Sequence, residues 1–209
     1  MSEILRVEHL TKHFTKKGIF GKISETVRAT DDVSFVLNQG EVLVLAGESG
    51  SGKSTIAKLI LKSIESDSGK IFFENQEITN NKENLKKIRM NTQMIHQDPY
   101  DSINPRMKVG DIISEPLEIH KMGNKSQRKN RVLEVLREVK LEPAEDIVKK
   151  YPHMLSGGQR QRVVLARALS VKPKIILADE PVSMLDVSIR AEMLELMQQL
   201  QKKYNISFI

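Results

Sequence analysis

The chain has 209 residues, 39% of them hydrophobic, and a formal net charge of +6. That length supports one sizeable core or at most two small domains, and the composition is that of a folded protein. The absence of cysteine excludes disulfides, thiolate metal sites and cysteine nucleophiles, and the lack of Trp with only 4% aromatics leaves little for a base-stacking platform.

Taken in chain order, residues 3–8 alternate polar and apolar side chains, which predicts a half-buried strand. Residues 15–28, "TKKGIFGKISETVR", are polar and interrupted by glycine, and predict a surface loop or hairpin. A second alternating strand is expected at 33–37, closed by the turn "NQG". The run "EVLVLA" at 41–46 has the continuous apolar character of a strand buried on both faces of a parallel sheet. Another strand, "KIFFEN", follows at 70–75. Helical spacing then takes over at 109–121 and 126–141, where Val132, Val135, Leu136 and Val139 recur at three and four. "KIILADE" at 174–180 predicts a further buried strand. An amphipathic helix is expected at 187–203, with Ile189, Met193, Leu196 and Leu200 along one face, and a last strand begins at Ile206. No apolar run approaches the length of a membrane span, and the N-terminal stretch is not of signal-peptide type, so the chain reads as cytosolic. The positive charge suits nucleotide phosphates, nucleic acid or an anionic surface, although solvated Lys-rich helix faces account for it more simply.

Three motifs carry chemistry. "GESGSGKST" at 47–55 fits G-x-x-x-x-G-K-[ST] between a predicted strand and a helical run. Its glycines let successive backbone N–H groups face an anion, and the helix N-terminus adds partial positive charge. Lys53 is placed to reach the β- and γ-phosphates, and the Ser54 hydroxyl to ligate Mg²⁺. In "IILADE", a buried strand delivers Asp179 toward Mg²⁺ and places Glu180 to orient and deprotonate an attacking water. In "LSGGQRQRVVLARAL", Ser156 reads as an N-cap, Gly157 and Gly158 leave the helix terminus bare, and Arg160, Arg162 and Arg167 are displayed beside it. Two phosphate sites with one carboxylate pair point to two subunits that complete each other's sites.

"GESGSGKS", "LSGGQ" and "ILADEP", in this order, resemble the nucleotide-binding subunits of ABC transporters, and the resemblance covers nearly the whole chain. It implies an α/β phosphate-loop NTPase core with a mixed or parallel sheet, an N-terminal antiparallel β portion and an inserted helical subdomain. On that pattern, 1–209 is a single nucleotide-binding domain, with core at 1–97 and 160–209 and the helical subdomain at about 98–159. The activity implied is ATP hydrolysis with ATP and Mg²⁺. The nucleotide-contacting positions carried over are Phe14 against adenine and Gly47, Ser49, Gly50, Ser51, Gly52, Lys53, Ser54 and Thr55 around the phosphates. Gln97 matches the glutamine that touches Mg²⁺ and couples to the membrane subunit, so the metal set is Ser54, Gln97 and Asp179, and the catalytic set Glu180, Lys53 and Gln97. Ser156, Gly157, Gly158 and Gln159 match the signature that contacts ATP on the opposite subunit, and Asp186 the residue linking the two sites. Met184 stands where the family more often has a smaller residue. His96 stands where it usually has an aromatic, and is read as structural.

"HQDPYDSINPRM", "YPHMLSGGQRQR" and "ADEPVSMLDVSI" look like the oligopeptide, dipeptide and nickel importers, and the segment with "KKGIFGK" like the second of their two ATPase subunits. This implies a head-to-tail heterodimer with a related ATPase, two transmembrane permease subunits, an external solute-binding protein and a peripheral place on the cytoplasmic face of the membrane. Two rival readings belong to other classes: a module that holds nucleotide without turnover, and a nucleic-acid ATPase. The latter is disfavoured because no heptad run separates Gln97 from the signature. The family places a γ-phosphate-contacting histidine after the strand that begins at Ile206. The histidines here are His9, His13, His96, His120 and His153, so the chain is expected to stop short of that element, and to bind nucleotide weakly and turn it over poorly.

Overall fold

The computed structural model of the chain describes residues 2–17 and 23–209, which fall into two compact units, one up to Arg89 and the other from Met90 to Phe208. In the first, β1 (Glu3–Lys17) and β2 (Ile23–Asn38) form a long antiparallel pair, joined by β3 (Ser68–Phe73) and the short β4 (Gln76–Glu77) in the order β2-β1-β3-β4. Helix α1 (Lys53–Ile60) and most of α2 (Lys82–Asn91) also belong to this unit.

Period-two alternation buries Leu5 and Val7 of β1, yet Leu10 is also fully buried. The register shifts between Val7 and Leu10, and His9 takes a φ of 49°. One extra residue there resets the phase, so Leu10 returns to the core face. Leu37, Ile71, Phe73 and the α1 residues Leu59 and Ile60 are buried with them.

Of the loop or hairpin expected at 15–28, the structure has the hairpin's two arms, because β1 runs on to Lys17 and β2 starts at Ile23, paired antiparallel with Phe14 opposite Val27. Residues 18–22, the heart of the "KKGIFGK" segment, lie outside the described residues. The strand surface near this end is open to solvent, with Phe14 and Val27 opposite each other and roughly half exposed, which explains its polar composition. One expectation does change, that for "EVLVLA". Residues 41–46 carry a single isolated bridge residue instead of a buried strand, and Val42 and Val44 are 57% and 77% exposed. A strand is made by its hydrogen-bonding neighbours as well as its side chains, and this segment joins neither sheet among the described residues.

The second unit holds three parallel strands, β5 (Thr92–Ile95), β6 (Ile175–Ala178) and β7 (Ser207–Phe208), in the order β5-β6-β7. Between β5 and β6 run α3 (Pro99–Ser102), α4 (Val109–Ile119), α5 (Lys125–Glu138), α6 (Ala144–Ile147), a 3₁₀ turn at Pro152–Met154 and α7 (Gly157–Ser170). Helix α8 (Val187–Tyr204) then leads to β7 through Asn205, whose φ of 52° ends the helix in a left-handed residue. The core is continuous: Ile112 and Ile113 of α4, Val132, Val135 and Leu136 of α5, and Val163, Val164 and Ala168 of α7 pack with Ile176 of β6 and Leu196 of α8. Each of the Val, Ile and Leu side chains among them stabilises the unit by about 1.5–3 kcal/mol relative to exposure. The spacing read for α5 is thus its buried face.

Helix α7 is fastened at its C-terminal end. Arg131 of α5 donates to the carbonyls of Leu169 and Ser170 at 2.8 and 3.1 Å. It also pairs with Glu134 at 3.0 Å and with the buried Glu138 at 3.5 Å. A cation at a helix C-terminus is favourable, because the last carbonyls lack intrahelical donors. Glu138 in turn accepts from the Tyr204 hydroxyl of α8.

Candidate functional site

In the first unit, the phosphate-loop motif forms a turn entering α1. Gly52 is the residue before the helix, with φ 93° and no side-chain cap, and Lys53 is the first helical residue. The N–H groups of that first turn therefore have no side-chain acceptor, and no acidic residue stands among them. A β-carbon on Gly52 would lie 1.8 Å from the Ala29 carbonyl oxygen, so glycine is required by space as well as by φ. The Lys53 ammonium donates to the carbonyls of Gly47 and Glu48, each at 2.7 Å, and lies 3.5 Å from the Ser51 hydroxyl. Ser54 and Thr55 follow in the first turn, half-buried, while Ser49 and Gly50 are exposed on the loop. An uncapped helix terminus beside a lysine curled over its own loop fits an anion such as a nucleotide phosphate.

In the second unit, the site lies at the carboxyl ends of β5 and β6, where open parallel sheets bind ligands. Ile95 pairs with Ala178, and the Asp179 N–H donates to the Ile95 carbonyl at 2.9 Å, extending the ladder by one step. This register sets Gln97, just past β5, beside Glu180, just past β6. The Gln97 Nε2 donates to the Glu180 Oε2 at 3.0 Å. Asp179 is half-buried and Glu180 exposed. Glu180 has φ 47°, and its carbonyl accepts from the Ser183 N–H and hydroxyl at 3.1 and 3.0 Å. No group of three His, Asp or Glu among the described residues could by itself hold a metal. Asp179 and Gln97 do offer the hard oxygen donors that suit Mg²⁺.

The signature segment starts α7. The Ser156 hydroxyl accepts from the Gln159 N–H at 3.3 Å, and the Gln159 side chain accepts from the Ser156 N–H at 3.1 Å. This capping box leaves the N–H groups of Gly157 and Gly158 as the open donors of the terminus. Space around Gly157 is empty, whereas a β-carbon on Gly158 would lie 2.7 Å from Ile189 Cγ2. The three arginines do not flank the terminus as free cations, contrary to the sequence expectation. Arg160 donates to the Leu155 carbonyl and lies 4.5 Å over the Tyr100 ring. Arg162 binds the Val139 carbonyl and Glu192, and Arg167 binds the Ser102 carbonyl and Glu115. Their long stems carry the charge back onto carbonyls of their own unit.

Phe14 is 44% exposed, with the Lys12 ammonium 5.6 Å over its ring, so it is not a core residue. Asp186 caps α8 by position, makes no side-chain cap bond and is exposed. His96 is exposed, as are Met184 and Val187 on either side of Asp186. Sequence reasoning missed one polar residue of the site: Gln161 of α7, only 1% exposed, donates its amide to the Pro181 carbonyl at 2.6 Å. A signal was present. Gln161, Val164, Leu165 and Ala168 share the 3-4-7 spacing of one helix face, so a glutamine occupies a core position.

The oligopeptide transport ATP-binding protein OppF of Bacillus subtilis (strain 168) is 45% identical over 211 residues, covering 99% of this chain and 66% of that protein. The di/tripeptide transport ATP-binding protein DppF of Pseudomonas aeruginosa (strain UCBPP-PA14) is 41% identical over 211 residues, covering 100% of this chain and 64% of that protein. The chain thus spans just under two thirds of the length of these curated relatives. Among solved structures, the dimeric ATP-binding cassette MJ0796 in a post-hydrolysis state with ADP and Pi matches with a TM-score of 0.83 and 29% identity, over 98% of this chain and 86% of that one. Residues 30–183, most of the sequence, match the ABC transporter family, and with the phosphate loop, the Asp179–Glu180 strand end and the capped signature helix in place, the chain belongs to that family.

Proposed function

We propose that the chain is the ATP-binding and ATP-hydrolysing subunit of an importer that carries oligopeptides or dipeptides across the cell membrane. The observation that carries this reading is the placement of an exposed Glu180 at the carboxyl end of a parallel sheet, within hydrogen-bond distance of Gln97 and directly after Asp179. The solute class rests on the similarity to OppF and DppF.

In this reading, Phe14 offers its exposed ring to adenine. Gly47, Ser49, Gly50, Ser51, Gly52, Lys53 and Thr55 surround the phosphates with backbone donors and one ammonium. Ser54, Gln97 and Asp179 supply oxygens for Mg²⁺, which neutralises phosphate charge when bound. Glu180 accepts the proton of the attacking water, and Gln97 holds that carboxylate in place. Ser156, Gly157, Gly158 and Gln159 face the nucleotide of a second, related ATPase subunit arranged head to tail, and Asp186 lies at the link between the two sites. Residues 1–209 then act as one nucleotide-binding domain with core at 1–97 and 160–209 and a helical subdomain at 98–159. The subunit works with two transmembrane permease subunits and, through them, an external solute-binding protein. Nucleic acid has no part in this. No helix among the described residues is long and apolar enough to cross a membrane, in keeping with a peripheral place on the cytoplasmic face.

The test uses the assembled transporter. Glu180→Gln should keep ATP binding and lower hydrolysis at least about a hundredfold, the usual scale for a positioned general base. Lys53→Ala should lose binding. Wild-type turnover by Glu180→Gln would remove Glu180 from its role, and strong stimulation by added DNA would favour a nucleic-acid ATPase.

A further inference from the structure

We propose that Gln161 is a positioning residue for Glu180, tying the loop that carries the base to the signature helix of the same subunit. The inference rests on the reading of Glu180 as the base and extends it.

Glu180 sits at φ 47° immediately before Pro181. A left-handed backbone is disfavoured for a residue with a β-carbon, and a following proline pushes its neighbour toward extended backbone. Such a conformation persists only where the surroundings over-determine it. Three sets of bonds do so here. The Asp179 N–H continues the β5–β6 ladder on one side at 2.9 Å. Ser183 folds back on the Glu180 carbonyl from within the same turn. The third is the Gln161 amide on the Pro181 carbonyl at 2.6 Å, which comes from a separate helix 20 residues away in sequence. The Pro181 carbonyl can only accept, so the amide nitrogen must face it.

Helix stability does not account for this glutamine. Its Oε1 is buried with no hydrogen-bond partner among the described residues. A desolvated, unpaired acceptor destabilises a core, and a methionine of similar shape would avoid it. What the amide contributes is the bond to the loop. Gln161 also lies four residues after Gly157, one turn along the same face of α7. A shift of the α7 N-terminus on engaging a partner's nucleotide therefore reaches the Pro181 carbonyl through one rigid turn. The signature of each subunit thereby adjusts that subunit's own Glu180.

The experiment compares Gln161→Met, Gln161→Glu and Glu180→Gln in the assembled transporter. Gln161→Met should keep ATP affinity and KM within about twofold and lower kcat about tenfold or more, the pattern of a transition-state defect. Gln161→Glu cannot donate while ionised, but burial raises its pKa and the protonated acid can donate to Pro181. Its activity relative to wild type should rise as pH is lowered from 8 toward 6, which a purely packing role would not produce. Wild-type kcat in Gln161→Met, or a pH-independent ratio for Gln161→Glu, would overturn the proposal. If Gln161→Met does not fold, the Gln161→Glu profile decides alone. Turnover retained by Glu180→Gln would instead sink the reading of the base, so the two failures are distinguishable.

Discussion

Replacing Arg131 by Met removes the cation that fastens α5 to the end of the signature helix. The guanidinium side chain is 12% exposed, and the Glu138 it faces only 7%. Two charged bonds to the Leu169 and Ser170 carbonyls are lost, each ordinarily worth about 1.5–3 kcal/mol. The exposed arm to Glu134 adds no more than about 1 kcal/mol. Glu138 keeps the Tyr204 hydroxyl and, at 3.8 Å, the Lys203 ammonium, so its charge is not wholly orphaned. The expected loss is therefore about 3 kcal/mol, at the lower end of the range for breaking a buried pair. Urea unfolding at neutral pH measures it, with Glu134→Gln as a control expected to change stability by less than about 1 kcal/mol. The double variant Arg131→Met/Glu138→Leu should regain a substantial part of the loss, because no buried charge is then left behind. A loss below about 1 kcal/mol in the single variant, or a double variant no more stable than the single, would refute the reasoning.

Further outcomes follow from the same geometry. Gly52→Ala places a β-carbon 1.8 Å from the Ala29 oxygen at φ 93°. It should cost at least about 1–2 kcal/mol and abolish binding of a fluorescent ATP analogue; unchanged affinity would contradict the loop geometry. Gly158→Ala meets Ile189 Cγ2 at 2.7 Å. It should destabilise by about 1–3 kcal/mol, and by clearly less in an Ile189→Ala background, as thermal unfolding of the four combinations would show. The Asp67 carboxyl is held below the ordinary carboxylate range, first by the His13 backbone N–H and then by the Lys12 ammonium. Its stabilising contribution is present above the unfolded value of about pH 4 and is lost as pH falls through the lower folded value. Asp67→Asn should thus melt below wild type at pH 7, with the gap narrowing as pH falls below about 4.

Local patterns carried much of this fold into the sequence. The three-and-four spacing of Val132, Val135, Leu136 and Val139 is the buried face of α5, and the apolar run before Asp179 is β6, because side-chain periodicity and burial are set by neighbours in the chain. The phosphate loop and the Ser156 cap were legible for the same reason: each is a contiguous run with fixed chemistry. What depended on distant partners was not. Residues 41–46 read as a strand by composition, but pairing decides strands. The polar residues toward the end of β1 and the start of β2 left loop and hairpin open, because Phe14, Thr15, Thr26, Val27 and Arg28 are exposed and give no buried face to read. Arg160, Arg162 and Arg167 read as displayed charge, while their reach to carbonyls of α3, α5 and the segment before α7 is a tertiary fact. Gln161 announced itself only as a polar residue on an apolar stripe, and its partner Pro181 could not be named from spacing.

The meeting of Gln97 and Glu180 bridges 83 positions of chain. Alignment there is held by ladder hydrogen bonds between β5 and β6, not by the length of what lies between. Loop-closure entropy grows only logarithmically, with each doubling of the intervening length costing about 0.6 kcal/mol. The helices from α3 to α7 could therefore be lengthened, trimmed or exchanged for another cassette at small thermodynamic expense, provided the two strands still pair in step. A one-residue slip of β6 would be another matter, since it would turn every side chain of the strand to the opposite face and carry Glu180 out of reach of Gln97. The Gln97–Glu180 contact is insulated from the insert's size and exposed to its register, so the helices between the two strands are free to differ widely while the pair is kept.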